Sequence, residues 1–150
     1  MAHDWSVLER DLRRCLPPRA IVAKRQELLS YDCDGLTLER HCPPLAVLPE
    51  TTEQVAAVLQ CCHQHGVPFV ARGSGTGLSG GALVDQKALL VVSSRMPRVR
   101  DLDPDNKQVM SHPGVIYSWV ARARAEQGLC YSPDACPRGG CVGGDAGAAD

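Results

Sequence analysis

The residues best suited to chemistry are the run Arg72-Gly73-Ser74-Gly75-Thr76-Gly77-Leu78-Ser79-Gly80-Gly81. Five of the nine residues from Gly73 to Gly81 are glycine. Glycine loses more backbone freedom on folding than any other residue, so such a run does not serve stability. It lets successive main-chain N–H groups turn toward one point, where they form a concave nest for phosphate oxygens. Ser74, Thr76 and Ser79 add hydroxyl donors. Arg72 could supply a positive charge or could pair with a local carboxylate. The loop reads as a nucleotide-phosphate site.

Three other readings compete. Gly75-Thr76-Gly77-Leu78-Ser79-Gly80 fits the G-x-G-x-x-G spacing of a dinucleotide fold. That fold needs a helix to open inside the motif. Here Gly80-Gly81 would fall in its first turns, and few residues remain before the next apolar run. A P-loop must end in Gly-Lys-Ser/Thr, and no lysine follows. The third is a flexible surface loop. The placement between two apolar runs favours a built site over it.

Other polar residues are weaker candidates. Asp32 and Asp34 could be paired carboxylates for acid–base work, but with no visible partner they read as solvated turn residues. Eight cysteines is a high count. No C-x-x-C pair of the kind a structural zinc site uses is present. Cys61 and Cys62 are adjacent, and Cys62 falls on a helical apolar stripe, so small buried hydrophobes are the expected role. His112 is expected at a strand end, and Trp119 in the core.

Around these residues the periodicity places the following elements. Trp5, Leu8, Leu12 and Cys15 have helical spacing, stopped by Pro17-Pro18. Residues 27–35 form a polar connection without a clear pattern. Ala46–Leu48 is a short strand. Thr51-x-x-Gln54 has capping-box form, and Val55, Val58, Leu59 and Cys62 mark the buried stripe of the helix behind it. Gly66 sits at its C-terminal cap. Val67–Ala71 is a strand leading into the glycine loop, and Ala88–Val92 is a buried strand after it. Val99–Asp103 and Lys107–Ser111 flank Asp103-Pro104-Asp105-Asn106 as a hairpin. A last helix carries Ile116, Trp119, Val120 and Ala123 and ends near Gly128. This order is mixed without clean βαβ alternation, which favours an α+β fold.

Composition sets the class. Apolar content of 44% and charged content of 22% suit a soluble globular domain. A net charge of −1 and 4% aromatics argue against nucleic-acid binding, which needs clustered cations or stacking platforms. No apolar run approaches a membrane span, and the N-terminus lacks the apolar core of a signal peptide. A cytoplasmic location is expected.

Several segments in one order carry a resemblance. They are Tyr31-Asp32-Cys33-Asp34-Gly35-Leu36, Leu48-Pro49-Glu50-Thr51-Thr52-Glu53-Gln54-Val55, the loop with its flanks Val70 to Leu83, Pro113-Gly114-Val115, and Gly128-Leu129-x-Tyr131-x-Pro133-Asp134. Together they resemble the vanillyl-alcohol oxidase or PCMH-type FAD-binding family, in particular its flavoprotein oxidases and dehydrogenases of 2-hydroxy acids such as glycolate and D-lactate. The resemblance implies the N-terminal part of a PCMH-type FAD-binding domain, with small mixed sheets and flanking helices. Residues 1–45 would form an N-terminal helix and connection, and 46–150 an incomplete FAD-binding domain. It implies that the loop 72–81 holds the FAD pyrophosphate, with Pro133, Asp134, Gly143 and Gly144 near the cofactor. Tyr131 could lie near the flavin or in the core. Members of that family with covalent flavin usually carry a histidine in the glycine loop. This loop has none, so FAD is expected to be non-covalent. Companion flavin and iron–sulfur subunits would carry electrons away.

The match weakens after Asp134. Ala135-Cys136-Pro137-Arg138-Gly139-Gly140 stands where the family has a Ser-rich turn, and Asp145 where it has asparagine. A carboxylate there would repel a pyrophosphate. The resemblance implies that the groups which bind the substrate carboxylate and take the hydroxyl proton belong to later segments of family members, so no catalytic residue is assigned. The expected function is FAD binding within a flavin-dependent oxidoreductase of glycolate or a similar 2-hydroxy acid. The alternative is a truncated, inactive remnant or a binding-only fragment.

Overall fold

A computed structural model describes residues 3–125 and Cys141. Helix α1 (Trp5–Leu12) starts where the Asp4 carboxylate accepts from the N–H groups of Ser6 and Val7. Leu8 and Leu12, four apart, are its buried face. Strand β1 (Ile21–Val22) and the short helix α2 (Arg25–Leu28) follow. Neither is visible as a pattern, because two- and four-residue elements are too short to show a period.

Strand β2 (Ala46–Val47) leads to helix α3 (Thr52–His65). Thr51 caps α3 by accepting from Gln54 N–H at 3.2 Å, and the Gln54 side chain accepts in return from Glu50 N–H at 2.7 Å. At the other end Gly66 is left-handed, with φ +63°, and its N–H bonds back to Cys62 and His63 carbonyls. Both ends agree with the sequence reading. The buried stripe differs: Val58, Cys61 and Cys62 are buried, whereas Val55 and Leu59 are only half-buried. The cause is α1, whose Leu8 and Leu12 join Val58, Cys61 and Cys62 in one core cluster. Burial pushes the Cys62 thiol up to about 11, so it is a packed thiol at neutral pH.

Strands β3 (Phe69–Arg72) and β4 (Leu89–Val92) complete a four-stranded sheet of order β1-β2-β4-β3. β1 is antiparallel to β2; β2, β4 and β3 are mutually parallel neighbours. β4 lies inside the sheet, and all four of its residues are buried. Leu89 and Val91 point into the cluster beneath α1 and α3. Leu90 and Val92 point into a second cluster with Leu28, Leu48 and Val84. Two-sided burial explains why its sequence is a continuous apolar run rather than an alternation.

Strands β5 (Val99–Asp103) and β6 (Gln108–Ser111) form a separate antiparallel pair. Their turn is fixed by Asp103, which accepts from Asn106 N–H and Nδ2 at 3.0 and 2.7 Å. His112 follows β6 directly. Helix α4 (Tyr117–Ala125) buries Tyr117 and Val120, spaced i and i+3. Trp119 lies off that line and is 42% exposed, so it is not the core residue expected. The fold is mixed α and β, with a small mixed sheet, a hairpin and flanking helices. Among the described residues no helix is long and apolar enough to cross a membrane.

One ion-pair group links segments next to β1, β2 and β4. Arg19 donates to Glu50 at 3.2 and 3.0 Å, and Arg95 reaches both Glu50 at 3.6 Å and the Arg19 carbonyl at 2.9 Å. The Arg19 hydrogen bonds hold the Glu50 carboxyl below its ordinary value of 4.5. A depressed carboxylate contributes stability that is present above its unfolded value and lost as pH falls through the folded one. Glu50→Gln should therefore lower stability slightly at neutral pH, where the contribution is present, and change little below the folded value, so the acid side of the stability–pH curve flattens, read by urea unfolding at stepped pH. The pair is solvent-exposed, so the effect is small and weakens with salt.

Candidate functional site

The glycine run lies in the connection between two parallel strands. Residues 73–88 must carry the chain from the end of β3 back to the start of β4. Such crossovers are usually helical. This one contains no helix. The dinucleotide-fold alternative therefore fails, because no helix opens within the motif to aim its N-terminus at a phosphate.

The loop's shape is set from beneath. Gly75 and Gly80 adopt φ +73° and +78°, which favour glycine. The Arg72 side chain is 7% exposed and runs under the loop. A Cβ on Gly75 would lie 2.1 Å from its guanidinium nitrogen. Arg72 donates to the Ala82 carbonyl at 3.4 Å and sits 5.9 Å from the centre of the Tyr31 ring. Burial lowers its pKa, while Cys33, Tyr31, Asp34 and Asp32 pull it back up. An arginine stays charged under either influence. Arg72 thus forms the floor of the loop, and the hydrogen bond of its guanidinium goes to a main-chain carbonyl rather than to a carboxylate.

The segment 31–37 forms the loop's inner wall. Gly35 donates its N–H to the Gly77 carbonyl at 3.0 Å. The Asp34 carboxylate accepts from Leu36 and Thr37 N–H through one oxygen, at 3.0 and 3.3 Å, and from Gly80 N–H through the other, at 3.1 Å. Asp34 is 6% exposed and Asp32 7%, so neither is the solvated turn residue expected. Asp32 is held by Arg40 at 3.2 Å. The partners that bury Asp34 lie on the glycine loop, far along the chain, where no local pattern reveals them. Cys141 closes another side: it is 1% exposed, and its sulfur accepts from Ser74 N–H at 3.1 Å.

What remains open is an array of amides. The N–H groups of Ser74 and Gly80 are taken. Those of Gly75, Thr76, Gly77, Leu78 and Ser79 have no acceptor among the described residues. A Cβ on Gly77, Gly80 or Gly81 would meet nothing within 4 Å among the described residues. Unpaired amides beside open space suit a diphosphate, so the residues present fit the nucleotide end of FAD. Two cavities of about 330 Å³ flank the loop. One lies between Leu36, Leu38, Leu78 and Ser79; the other is at the ends of β3 and β4, against Arg72, Gly73, Ser93 and Pro113. A larger cavity of about 560 Å³ lies between the start of α3 and the hairpin, beside Arg98, Arg100 and His112, and touches no glycine-loop residue. Pro133, Asp134, Gly143 and Gly144 lie outside the described residues. Among the described residues no group of three His, Cys, Asp or Glu is placed to hold a metal.

Residues 43–149 match the FAD binding domain family, and the chain belongs to that family. Among its curated relatives, the glycolate oxidase subunit GlcD of Escherichia coli K12 is 42% identical over 141 residues, covering 91% of this chain and 28% of that one. The D-2-hydroxyglutarate dehydrogenase of Xanthomonas citri pv. viticola is 35% identical over 137 residues, covering 89% and 29%. The chain therefore spans less than a third of these relatives' length. In three dimensions it is similar to p-cresol methylhydroxylase, with a TM-score of 0.73 at 22% identity, over 86% of this chain and 27% of that one. That likeness shows the fold, a PCMH-type FAD-binding architecture. FAD is the cofactor of the family.

Proposed function

We propose that the amides of the glycine loop hold the FAD pyrophosphate without a covalent bond, with Arg72 as the loop's buried support and Ser74, Thr76 and Ser79 as hydroxyl donors. The observation that carries this is the set of amides from Gly75 to Ser79 that have no acceptor among the described residues, with room beside Gly77 for a ligand. Gly73, Gly75, Gly77, Gly80 and Gly81 let the backbone approach the phosphates, and Leu78 packs beside them. Pro133, Asp134, Gly143 and Gly144 complete the cofactor set by resemblance. In this reading residues 46–150 are the FAD-binding unit, and residues 1–45 supply the N-terminal helix and connection.

When bound, FAD accepts a hydride. The chain's own residues fix the nucleotide end, so that the reactive ring is presented elsewhere. The substrate proposed for the complete enzyme is glycolate or a similar 2-hydroxy acid. It follows from the names of the relatives, which act on glycolate and D-2-hydroxyglutarate. Electrons would leave through companion subunits, flavin-containing or iron–sulfur, in the cytoplasm.

The test is to purify the 150-residue chain and titrate it with FAD, following flavin fluorescence. Saturable binding is expected; a folded chain that takes up no FAD at high micromolar concentration overturns the reading. Gly77→Val probes the loop itself. A Cβ there meets no heavy atom within 4 Å among the described residues and φ there is not positive, so the fold should tolerate it. It projects into the space the phosphates need and should weaken FAD about tenfold, the equivalent of one or two amide contacts.

A further inference from the structure

Asp34 touches both halves of the loop's support, and its chemistry makes a more specific assignment possible. A carboxylate only accepts, and it has two oxygens. One oxygen closes its own turn through Leu36 and Thr37 N–H. The other takes the N–H of Gly80, at the far end of the glycine run. Gly80 is held at φ +78°, and its carbonyl in turn accepts from Leu83 N–H at 3.0 Å. Three residues earlier, Gly35 N–H fixes the Gly77 carbonyl. Two adjacent residues of the 31–37 segment therefore clasp two loop residues, one by its carbonyl and one by its amide.

We propose that Asp34 is a positioning residue for the nucleotide loop. Its carboxylate withdraws the Gly80 amide from the ligand, anchors that end of the run, and confines phosphate contact to the amides of Gly75, Thr76, Gly77, Leu78 and Ser79. The assignment rests on the FAD reading above. It also explains why a buried carboxylate can stand beside an anion site: all the N–H groups it needs are supplied by protein, and the Arg72 cation lies under the same loop.

Asparagine separates this role from simple turn capping. Asp34→Asn keeps one acceptor oxygen, enough for the turn. Its amide NH2 then faces the Gly80 N–H, donor against donor, so the clasp opens. Amide hydrogen exchange reads this directly and needs no flavin. In the unliganded wild type, Gly80 N–H should be protected while Gly75 to Ser79 exchange freely. Adding ADP, which carries the diphosphate, should protect Gly75 to Ser79 and leave Gly80 unchanged. In Asp34→Asn, Gly80 should lose its protection while Leu36 keeps its own, and affinity for FAD and for ADP should both fall about tenfold. Two results would overturn the proposal: a Gly80 amide that is unprotected in wild type and gains protection only with ADP, or an asparagine variant that binds FAD and ADP like wild type. Should the wild type bind neither nucleotide, the FAD reading falls, and with it the ligand role of Asp34; the exchange pattern still decides whether the clasp exists.

Discussion

Gly35→Ala should weaken FAD binding about 100-fold, although residue 35 lies outside the glycine run. A Cβ there would fall 2.6 Å from the Thr76 carbonyl oxygen, 3.0 Å from its carbon and 3.2 Å from the Gly77 carbonyl oxygen. These are backbone atoms and cannot swing aside as a side chain would. The methyl group therefore pushes the loop off its wall and breaks the Gly35–Gly77 hydrogen bond. Overpacking of this kind costs about 1–3 kcal/mol of stability. Affinity falls further because several amide contacts of about 1 kcal/mol each lose their aim together. The measurement is a paired one, FAD titration and urea unfolding on the same protein. Gly66→Ala serves as the control. Gly66 also has positive φ, but nothing lies within 4 Å of a Cβ there and it sits at the end of α3, so it should lose stability and keep its FAD affinity. Equal FAD affinity in Gly35→Ala and wild type would show that the 31–37 segment does not shape the loop.

The contrast between Gly35 and Gly66 also marks what the sequence can disclose. Gly66 was legible because its cause is local: a helix of clear period ends there and needs a left-handed cap. The Thr51–Gln54 start, the buried run of β4 and the Asp103–Asn106 turn were legible for the same reason. Each is decided within a few residues. The glycine loop was legible as chemistry, because no stabilising role accounts for so many glycines. Its failure as a dinucleotide fold was legible from spacing alone.

The residues that were misread depend on distant partners. Asp32 and Asp34 look like solvated turn residues until Arg40 and the Gly80 amide are brought to them. The stripe of α3 shifts toward Cys61 only because α1 lies across it. Trp119 carries an apolar side chain on a helix whose buried line runs through Tyr117 and Val120, and periodicity over nine residues does not fix that line within a residue. Cys141 lies in a stretch without periodicity, and only the fold brings its sulfur to the N–H of the loop's first serine. For Asp34, the α3 stripe and Cys141 the deciding contact crosses many residues of chain, and local patterning carries no information about it.

Arg72→Met should be the most damaging change at the site's floor. The residue ends β3 and is 7% exposed, so its stem is packed and its charge is enclosed. Methionine keeps much of the stem's volume and removes only the guanidinium, which separates charge from packing. Three interactions go with the guanidinium: the hydrogen bond to the Ala82 carbonyl, the contact with the Tyr31 ring, and the positive field that Asp32 and Asp34 face. Losing a charged hydrogen bond costs about 1.5–3 kcal/mol, and an enclosed cation over an aromatic ring adds up to about 2 kcal/mol. A destabilisation of about 3 kcal/mol is expected in urea unfolding. The field matters separately for binding, because the cation under the loop is what offsets the Asp34 carboxylate when a diphosphate arrives. Affinity for FAD should fall about 100-fold. A surface cation would lose its influence in salt, whereas one enclosed beneath the loop is screened far less. The wild-type advantage over Arg72→Met should therefore persist between 50 mM and 500 mM sodium chloride, to within about threefold. A gap that closes with salt would mean that Arg72 acts from the solvent side, and the buried-floor role would be wrong.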